Sequence, residues 1–387
     1  MFYDIAVVGG GAIGSSIAYF LRSHPHAPSV AVIEPDPLYE LASTPRASGG
    51  VRRLFSAPEN IEMSKFGIEF FTTFEQRVAV DGAPAAAIEW LPQGYLFIVP
   101  PRDVPVLEEN FRRQQAHGVN VVLLDRDGLA RHFPSMHVDD LGAGVWSPDD
   151  GWLDPNGVLQ GLRRKARALG AEYIADRVVA IDATGGTHTL TLAAGDTIRA
   201  AATVNAAGAW AAEICAMVGM PLPVAPMRRF EHYFETPATL DPLPYVKDPN
   251  RLAFRPEGRG YSGGVPDVSE PRGFNFDVDH GYFERVVWPA LAHRFPGFEA
   301  VKCKNTWAGL YDQNEFDGNP VIGAWRGRLD NFYVAAGFSG HGLMHAPATG
   351  RAIAELVVDG GFETIDLSRL GFERIENNTP YPERGII

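Results

Sequence analysis

The sequence predicts an α/β fold in which one domain is built from separated stretches of the chain and a second, β-rich domain is inserted between them. The chain begins and ends with a strand, a glycine-rich loop and a helix, whereas its middle holds short strand-like runs broken by proline and glycine. Its 387 residues also exceed the roughly 100–200 that one domain commonly holds, so two domains are expected.

The most informative motif lies at the N-terminus. An apolar run from Ile5 to Val8 enters a turn with G-x-G-x-x-G spacing, and a helical segment and a second β-branched run follow, ending at Glu34. Such glycines allow a tight turn, close approach to a diphosphate and close helix packing, while the acid hydrogen-bonds a ribose hydroxyl. The motif therefore predicts a Rossmann-like dinucleotide site. Its predicted cofactor contacts are Gly9, Gly11, Ala12, Ile13, Gly14, Glu34 and Pro35.

Apolar periodicity and turn residues predict the remaining elements. Helices are expected over residues 59–78, 103–117, 127–133, 154–169 and from the glycine loop 337–342 to residue 358, and strands over residues 171–174, 177–182, 187–192, 197–205, 229–235, 252–255, 261–265 and 331–336. A hairpin over residues 90–99 is expected to turn at Gln93 and Gly94. We assign residues 1–88, 142–220 and 317–387 to the dinucleotide-binding domain, and residues 89–141 and 221–316 to a substrate-binding cap domain.

Composition excludes several classes of protein. A formal net charge of −13 argues against non-specific nucleic-acid binding. Two cysteines, Cys215 and Cys303, supply neither a disulfide framework nor a zinc ligand set, and we expect no metal site. No apolar run approaches the roughly 20 residues of a membrane span, and the first strand begins too early for a signal peptide. A cytoplasmic protein is expected.

Three further motifs narrow the cofactor. They are Thr203-Val-Asn-Ala-Ala-Gly-Ala-Trp210; Trp307-Ala-Gly-Leu-Tyr-Asp312 followed by Asp317-Gly-Asn-Pro-Val-Ile-Gly323; and Ala335-Ala-Gly-Phe-Ser-Gly-His-Gly342 leading into Ala346-Pro-Ala-Thr-Gly350. In this order, with the N-terminal motif, they resemble the FAD-dependent amine oxidoreductases of the D-amino-acid oxidase superfamily, especially glycine oxidase, sarcosine oxidase and dimethylglycine dehydrogenase. The resemblance covers nearly the whole chain and implies FAD as the cofactor.

The resemblance also implies where FAD lies. Arg46, Ser48, Gly49 and Gly50 would follow the ribityl chain and the flavin edge. Val178 would offer its backbone to the adenine, and Ala206, Ala207, Gly208 and Trp210 would close over the ADP portion. Gly309, Gly337, Ser339, Gly340, His341, Gly342 and Leu343 would complete the flavin site. Backbone N–H groups at a helix N-terminus stabilise the negative charge of a reduced flavin.

The substrate-binding residues depart from the family pattern. Some members bind the substrate carboxylate with an arginine or a lysine at the positions of Tyr311 and Met344. Either Arg52, Arg255 or another basic residue replaces that clamp, or the substrate is not a simple amino acid. Arg52 matches a family arginine near the flavin face, although a surface ion pair is the alternative. His232 is a further pocket candidate or a structural histidine. The candidate catalytic residues are Arg52, Tyr261, Tyr311 and His341.

Two other departures bear on the chemistry. Sarcosine oxidases place a lysine over the flavin to assist reaction with oxygen, and Tyr261 aligns with that place, which favours a dehydrogenase over an oxidase. Some relatives attach the flavin through a cysteine near residues 307–310. Cys303 lies several residues before them, so FAD is expected to be bound non-covalently.

The resemblance implies a reaction class. It implies oxidation of the C–N bond of a small secondary or tertiary amine or amino acid, similar to sarcosine, dimethylglycine or proline, with a hydride passing to flavin N5 and the imine hydrolysing afterwards. The alternatives are a D-amino-acid or glycine oxidase releasing hydrogen peroxide and ammonia, and a low-turnover FAD-binding assembly factor or subunit. The electron acceptor is left open among oxygen, a quinone and an electron-transfer protein.

Overall fold

The computed structural model describes residues 1–385 and contains two large β-sheets with helices packed around them. The strands are β1 Phe2–Val8, β2 Val30–Ile33, β3 Gly50–Val51, β4 Tyr95–Val99, β5 Val122–Asp125, β6 Ala143–Ser147, β7 Gly151–Trp152, β8 Glu172–Ile174, β9 Val178–Asp182, β10 His188–Leu192, β11 Thr197–Asn205, β12 Val224–Glu235, β13 Tyr245–Lys247, β14 Ala253–Glu257, β15 Gly260–Gly264, β16 Lys302–Asn314, β17 Val321–Trp325 and β18 Leu329–Ala336. The helices are α1 Ala12–Ser23, α2 Pro58–Thr72, α3 Phe74–Arg77, α4 Val104–Ala116, α5 Arg126–His132, α6 Pro155–Ala168, α7 Ala211–Ala216, α8 Trp288–Arg294, α9 Gly342–Val358 and α10 Glu373–Glu376.

The first sheet has the order β17-β18-β11-β1-β2-β8, with the hairpin of β9 and β10 attached to β11. The strands from β18 to β8 run parallel, and helix α1 packs against α6 and α9. Both faces of a parallel sheet are covered, which explains why Val7, Val32 and Val204 are fully buried within continuous apolar runs. The carboxyl ends of β1 and β11 therefore open at the same edge of this sheet.

The second sheet has the order β16-β12-β15-β14-β13-β4-β6-β5. Its longest ladder joins β12 to β16 in antiparallel register. One face packs on an aromatic core that includes Phe234, Phe254 and Phe298. Because side chains alternate between the faces of a strand, the intervening residues of β12 and β13 point the other way, toward the first domain.

Most predicted elements are confirmed. Helix α6 begins as expected, with the Asp154 carboxylate accepting hydrogen bonds from the N–H groups of Asn156 at 2.9 Å and Gly157 at 3.0 Å. The helix expected over residues 59–78 breaks at Thr73 into α2 and α3.

The hairpin over residues 90–99 is wrong. Strand β4 pairs instead with β6 in antiparallel and with β13 in parallel orientation. Gly94, at φ +94°, turns the chain into β4, and its N–H bonds to the carbonyl of Asp150. The partners of this strand come from distant parts of the chain, which local turn chemistry does not reveal.

The sheets agree with an α/β fold built from a discontinuous first domain and an inserted β-rich domain. Strand β6, at residues 143–147, belongs to the second sheet, although the boundary expected at residue 142 would assign it to the first domain. We therefore propose the predicted division with this strand transferred to the cap domain. The small sheet of β3 and β7 lies at the junction of the two domains.

Candidate active site

A cavity of about 1200 Å³ lies between the two sheets. It extends from the N-terminal glycine turn, past the start of α9, to the inner face of the second sheet. All the predicted cofactor residues except Gly14 and Gly337 line it, and so do Arg52, Tyr311 and Met344. The topology thus brings four motifs that are far apart in the sequence to one space.

The three glycines of the N-terminal turn have different structural roles. Gly9 has φ +98°, and a Cβ there would lie 2.5 Å from the carbonyl oxygen of Ala206. A Cβ on Gly14 would lie 1.9 Å from the carbonyl oxygen of Gly9. A Cβ on Gly11, in contrast, would meet only Thr44 Oγ1, at 3.7 Å. The fold itself requires Gly9 and Gly14, whereas Gly11 leaves open a cradle that a dinucleotide diphosphate fits.

The start of α1 supplies donors to that cradle. Its N-cap residue, Gly11, offers no side-chain cap, and the first turn holds no acidic residue. The first N–H groups of a helix lack intrahelical acceptors and carry the positive end of its dipole. This end of the cavity therefore suits an anionic group.

Glu34 is held in place by backbone donors. Its carboxylate accepts hydrogen bonds from the N–H groups of Gly10 at 2.8 Å and Asp36 at 2.9 Å. Burial raises the pKa of this carboxyl group, although the two N–H donors oppose that effect. The fixed carboxylate lines the cavity beside the glycine turn, where a ribose hydroxyl is expected.

The segment before β3, residues 46–50, forms a second wall of the cavity, in addition to the wall made by the glycine turn and the start of α1. Gly49, at φ +82°, lies so close to the carbonyl oxygen of Leu153 that a Cβ would reach 2.2 Å from it. The hydroxyl groups of Ser48 and Tyr245 are hydrogen-bonded at 2.9 Å. The Arg46 guanidinium donates to the carbonyl groups of Glu40 and Ala308, so it ties this wall to β16.

The glycine loop before α9 forms the third wall. The Asp312 carboxylate accepts hydrogen bonds from the N–H groups of Gly337 at 2.8 Å and Phe338 at 3.1 Å, and burial raises its pKa to about 6. Gly337 therefore shapes the loop without lining the cavity. Ser339 and Gly340 both adopt positive φ, and α9 begins immediately afterwards. The free N–H groups of this helix start suit the electron-rich edge of a flavin.

At the inner end of the cavity lies a buried cation. Arg52 is 3% exposed, donates from Nη1 to the carbonyl of Leu54 at 2.7 Å, and lies over the ring of Phe55 at 4.0 Å. Within residues 1–385 it forms no ion pair with a carboxylate. An isolated buried charge is costly, so this arrangement suits an anionic ligand.

His341 lies beside this arginine. Its ring contacts Phe55 edge-on, with the ring centroids 5.0 Å apart. Burial is the main cause that lowers the pKa of His341 well below its usual value, and the positive charge of Arg52 lowers it further. The imidazole is therefore neutral at physiological pH, and its Nδ1 atom has no hydrogen-bond partner among the described residues.

The sequence analysis missed further ionisable residues of the cavity, among them Arg229, Glu231 and Lys247. Burial, reinforced by the charge of Arg52, lowers the pKa of Lys247 to about 7. Burial raises the pKa of Glu231, which accepts a hydrogen bond from Ser262 at 2.7 Å. The available signal was strand alternation. Val246 and Phe234 enter the aromatic core, so residues an odd number of positions away on the same strands, such as Lys247 and Glu231, can face the cavity.

Three of the predicted catalytic and substrate-binding residues lie outside the cavity lining. Tyr261 packs in the aromatic core, 4.9 Å from Phe298 between ring centroids, so its assignment over the flavin is wrong. His232 bonds to Thr306 at 2.9 Å on the same face of the sheet, and its pKa is lowered to about 4 by burial. Tyr261 thus lies on the face of its strand opposite to the one expected, whereas His232 has the position of the structural histidine given as its alternative.

Arg255 is the third of these residues. Its Nε donates to the carbonyl of Ser48 at 2.7 Å, and its guanidinium is paired with Glu257. It therefore supports the second wall and does not present a charge to a substrate. Neither Cys215 nor Cys303 lines the cavity.

Comparisons with known proteins agree with this site. Residues 4–356 match the DAO family model, described as FAD dependent oxidoreductase. The FAD-dependent oxidoreductase domain-containing protein 1 of Xenopus laevis is 36% identical, over 99% of this chain and 85% of that protein. Mitochondrial sarcosine dehydrogenase of Mus musculus is 27% identical over 92% of this chain and 40% of that protein. The crystal structure of L-proline dehydrogenase from P. horikoshii is 26% identical, with a TM-score of 0.86 over 98% of this chain and 99% of that one.

Across residues 1–385, no helix combines the length and apolar character needed to cross a bilayer.

Proposed function

Because the chain belongs to the DAO family of FAD-dependent oxidoreductases, we propose that it oxidises the C–N bond of a small secondary or tertiary amino acid. Sarcosine-, dimethylglycine- and proline-like compounds are the substrate class, and sarcosine and L-proline appear in the names of two similar proteins. The observation that supports this proposal is Arg52, a buried cation without a carboxylate partner among residues 1–385, at the inner end of the cavity.

The residues of the cavity fit FAD, and we propose a non-covalent site. The cradle at Gly11 and the start of α1 would hold the diphosphate, and Glu34 would hold the ribose. The start of α9 would face the flavin edge. When bound, FAD supplies the acceptor for a hydride from the carbon next to the amine nitrogen.

The chain contributes binding, orientation and control of charge. Arg52 would bind the substrate carboxylate, which fixes the amino acid at the inner end. The positive charges of Arg52 and Arg229 disfavour a protonated amine nearby, so they favour the neutral amine that gives up a hydride. Neutral His341 and apolar Met344 line this space without adding charge. No covalent nucleophile is required.

We propose a dehydrogenase, which the names of the sarcosine and proline relatives support. The argument from Tyr261 no longer supports it, because Tyr261 is outside the cavity and Lys247 is a basic group inside it. A cation near the flavin would stabilise the charge that develops when oxygen is reduced. Lys247 therefore favours an oxidase that produces hydrogen peroxide as the second candidate.

Turnover of an amine panel with two acceptors tests these proposals. Sarcosine, dimethylglycine, L-proline and D-alanine are each supplied with an artificial dye or with oxygen, and dye reduction and peroxide are followed. Dye reduction without peroxide is expected. Arg52→Met is expected to raise KM by about tenfold or more, since it removes the partner of a buried carboxylate. Arg102→Met, at an 84% exposed side chain, is the matched control. Unchanged KM in Arg52→Met would contradict the assigned role.

A further inference from the structure

Like Arg52, Arg229 lines the cavity and lacks a carboxylate partner among residues 1–385. Arg229, on β12, is partly buried, and its Nη1 donates to the carbonyl groups of Arg228 at 3.2 Å and Asp267 at 3.1 Å. Adjacent Arg228 is paired with Glu270 at 2.9 Å, whereas Arg229 forms no ion pair within the described chain. Two successive arginines on one strand thus differ: one is neutralised by the protein, and the other faces the cavity uncompensated.

Arg229 and Arg52 border the same loop of the cavity wall. The Arg229 guanidinium lies over the ring of Tyr311, 5.2 Å from its centroid. Burial raises the pKa of Tyr311, and the positive charges of Arg229 and Arg52 both oppose that shift. Arg52 lies over Phe55, whose ring centroid is 5.0 Å from that of His341. His341 follows the glycine whose backbone packs on Tyr311, so both guanidinium groups border the same loop.

The nearby carboxylates are already engaged. Glu231 accepts a hydrogen bond from Ser262 and lies in the fields of Arg255 and Lys247. Glu383 accepts hydrogen bonds from the N–H of Ser56 and from Asn60, both at 2.6 Å. Neither forms an ion pair with Arg52 or Arg229.

A simple amino acid has one carboxylate, so it would leave one of these two guanidinium groups without a carboxylate partner in a desolvated site. Building on the proposed function, we infer that the substrate is an amino dicarboxylate, a secondary or tertiary amine with two acidic groups, of which Arg52 binds one and Arg229 the other. Lys247 adds positive charge to the same region. The second carboxylate would offset the free-energy cost of burying the second guanidinium without a partner. A neutral side chain of equal size would not offset this cost.

Binding of small anions tests this inference independently of turnover. Glutarate and its monoamide, glutaramate, have nearly the same shape but differ by one charge, and the flavin absorbance of the holoprotein reports their binding. Glutarate is expected to bind about tenfold or more tightly than glutaramate. Arg229→Gln should remove this preference. Arg259→Gln, which removes an equal charge from a 92% exposed side chain of the same domain, should preserve it.

Reduction of the flavin without oxygen gives the second readout. N-methylglutamate and N-methylaspartate are compared with N-methylglutamine and N-methylasparagine, and the diacids are expected to reduce it at lower concentration. Equal affinity for glutarate and glutaramate, together with equal reduction by acids and amides, would overturn the inference and leave the proposed function standing. If no amine reduces the flavin, the proposed function fails. The comparison of glutarate with glutaramate then still shows whether the cavity prefers a ligand with two negative charges.

Discussion

Gly340 and Tyr311 are in direct contact, although they belong to different strand–loop units. A Cβ on Gly340 would lie 2.5 Å from Cε2 of the Tyr311 ring, and Gly340 adopts φ +95°. The ring that lies beneath Arg229 therefore also packs against the loop that leads into α9. This contact joins the end of the cavity proposed for the substrate to the helix start proposed for the flavin edge.

Gly340→Ala is expected to disturb that junction. A non-glycine residue at this φ costs about 1–2 kcal/mol, and the methyl group also displaces either the loop or the tyrosine ring. We expect a lower melting temperature and weaker FAD retention during gel filtration. Gly360→Ala is the control, since Gly360 has φ +81° but open space around its Cβ. It should lower the melting temperature without loss of FAD, and equal FAD loss in both variants would contradict a specific role for the contact.

Gly11→Ala separates cofactor binding from folding. Gly11 has φ −61°, which alanine adopts readily, and its Cβ would enter open space. We expect the apoprotein to keep its melting temperature while the Kd for FAD rises about tenfold or more, as measured by quenching of flavin fluorescence. Gly14→Ala should instead destabilise the apoprotein itself, because its Cβ would overlap the carbonyl oxygen of Gly9. An unchanged Kd in Gly11→Ala would place the diphosphate elsewhere.

Lys247 gives the stability of the protein a defined pH dependence. Burial lowers its pKa to about 7, whereas in the unfolded chain it titrates near 10.4. Between these values the unfolded chain binds more protons, so this residue makes the apoprotein more stable as the pH rises. Compared with Lys247→Met, the wild-type free energy of unfolding should therefore increase from about pH 7 to about pH 10.

Denaturant unfolding at several pH values measures this difference. Lys302→Met, at an exposed position, should show no comparable change relative to the wild type. The charges of Arg52, Arg229 and Glu231 act on Lys247 from the surrounding strands, so the same series in Glu231→Gln should show a still lower pKa. A parallel pH dependence of wild type and Lys247→Met would show that the ammonium is not buried.

Glu383 stabilises the start of α2 from the far end of the chain. The N-cap residue Ala57 offers no side-chain cap, and the Glu383 carboxylate instead accepts from the N–H groups of Ser56 and Ala57. Glu383→Gln is expected to cost about 1–2 kcal/mol in the free energy of unfolding, measured by denaturant titration. Glu363→Gln, at an exposed position, should cost nothing measurable. Equal values for the two variants would contradict the capping role.

Much of the first domain could be predicted because its signals are local. The glycine turn, the cap at Asp154 and the alternating run of β11 each specify a conformation within a few residues. The pairing of β4 was missed because its partners, β6 and β13, lie far along the chain. The sequence near Gln93 does not indicate which strands β4 pairs with.

The cofactor side of the site was predicted better than the substrate side for a related reason. Glycine motifs act through the backbone, so their position in the sequence locates them. A side chain on a strand, in contrast, changes face with a shift of one residue. His232 was therefore a pocket candidate, with a structural role as the alternative, although Glu231 is the residue that faces the cavity. Tyr261 was placed over the flavin although it pairs with Phe234 in the aromatic core.

Anaerobic titration of the purified holoprotein with N-methylated amino acids tests the central claim most directly. The account predicts that the visible flavin band bleaches with one equivalent of amine and that the matching aldehyde or keto acid is released in equal amount. A flavin band that remains unchanged with every secondary, tertiary and primary amine tried would contradict amine oxidation as the function of this cavity.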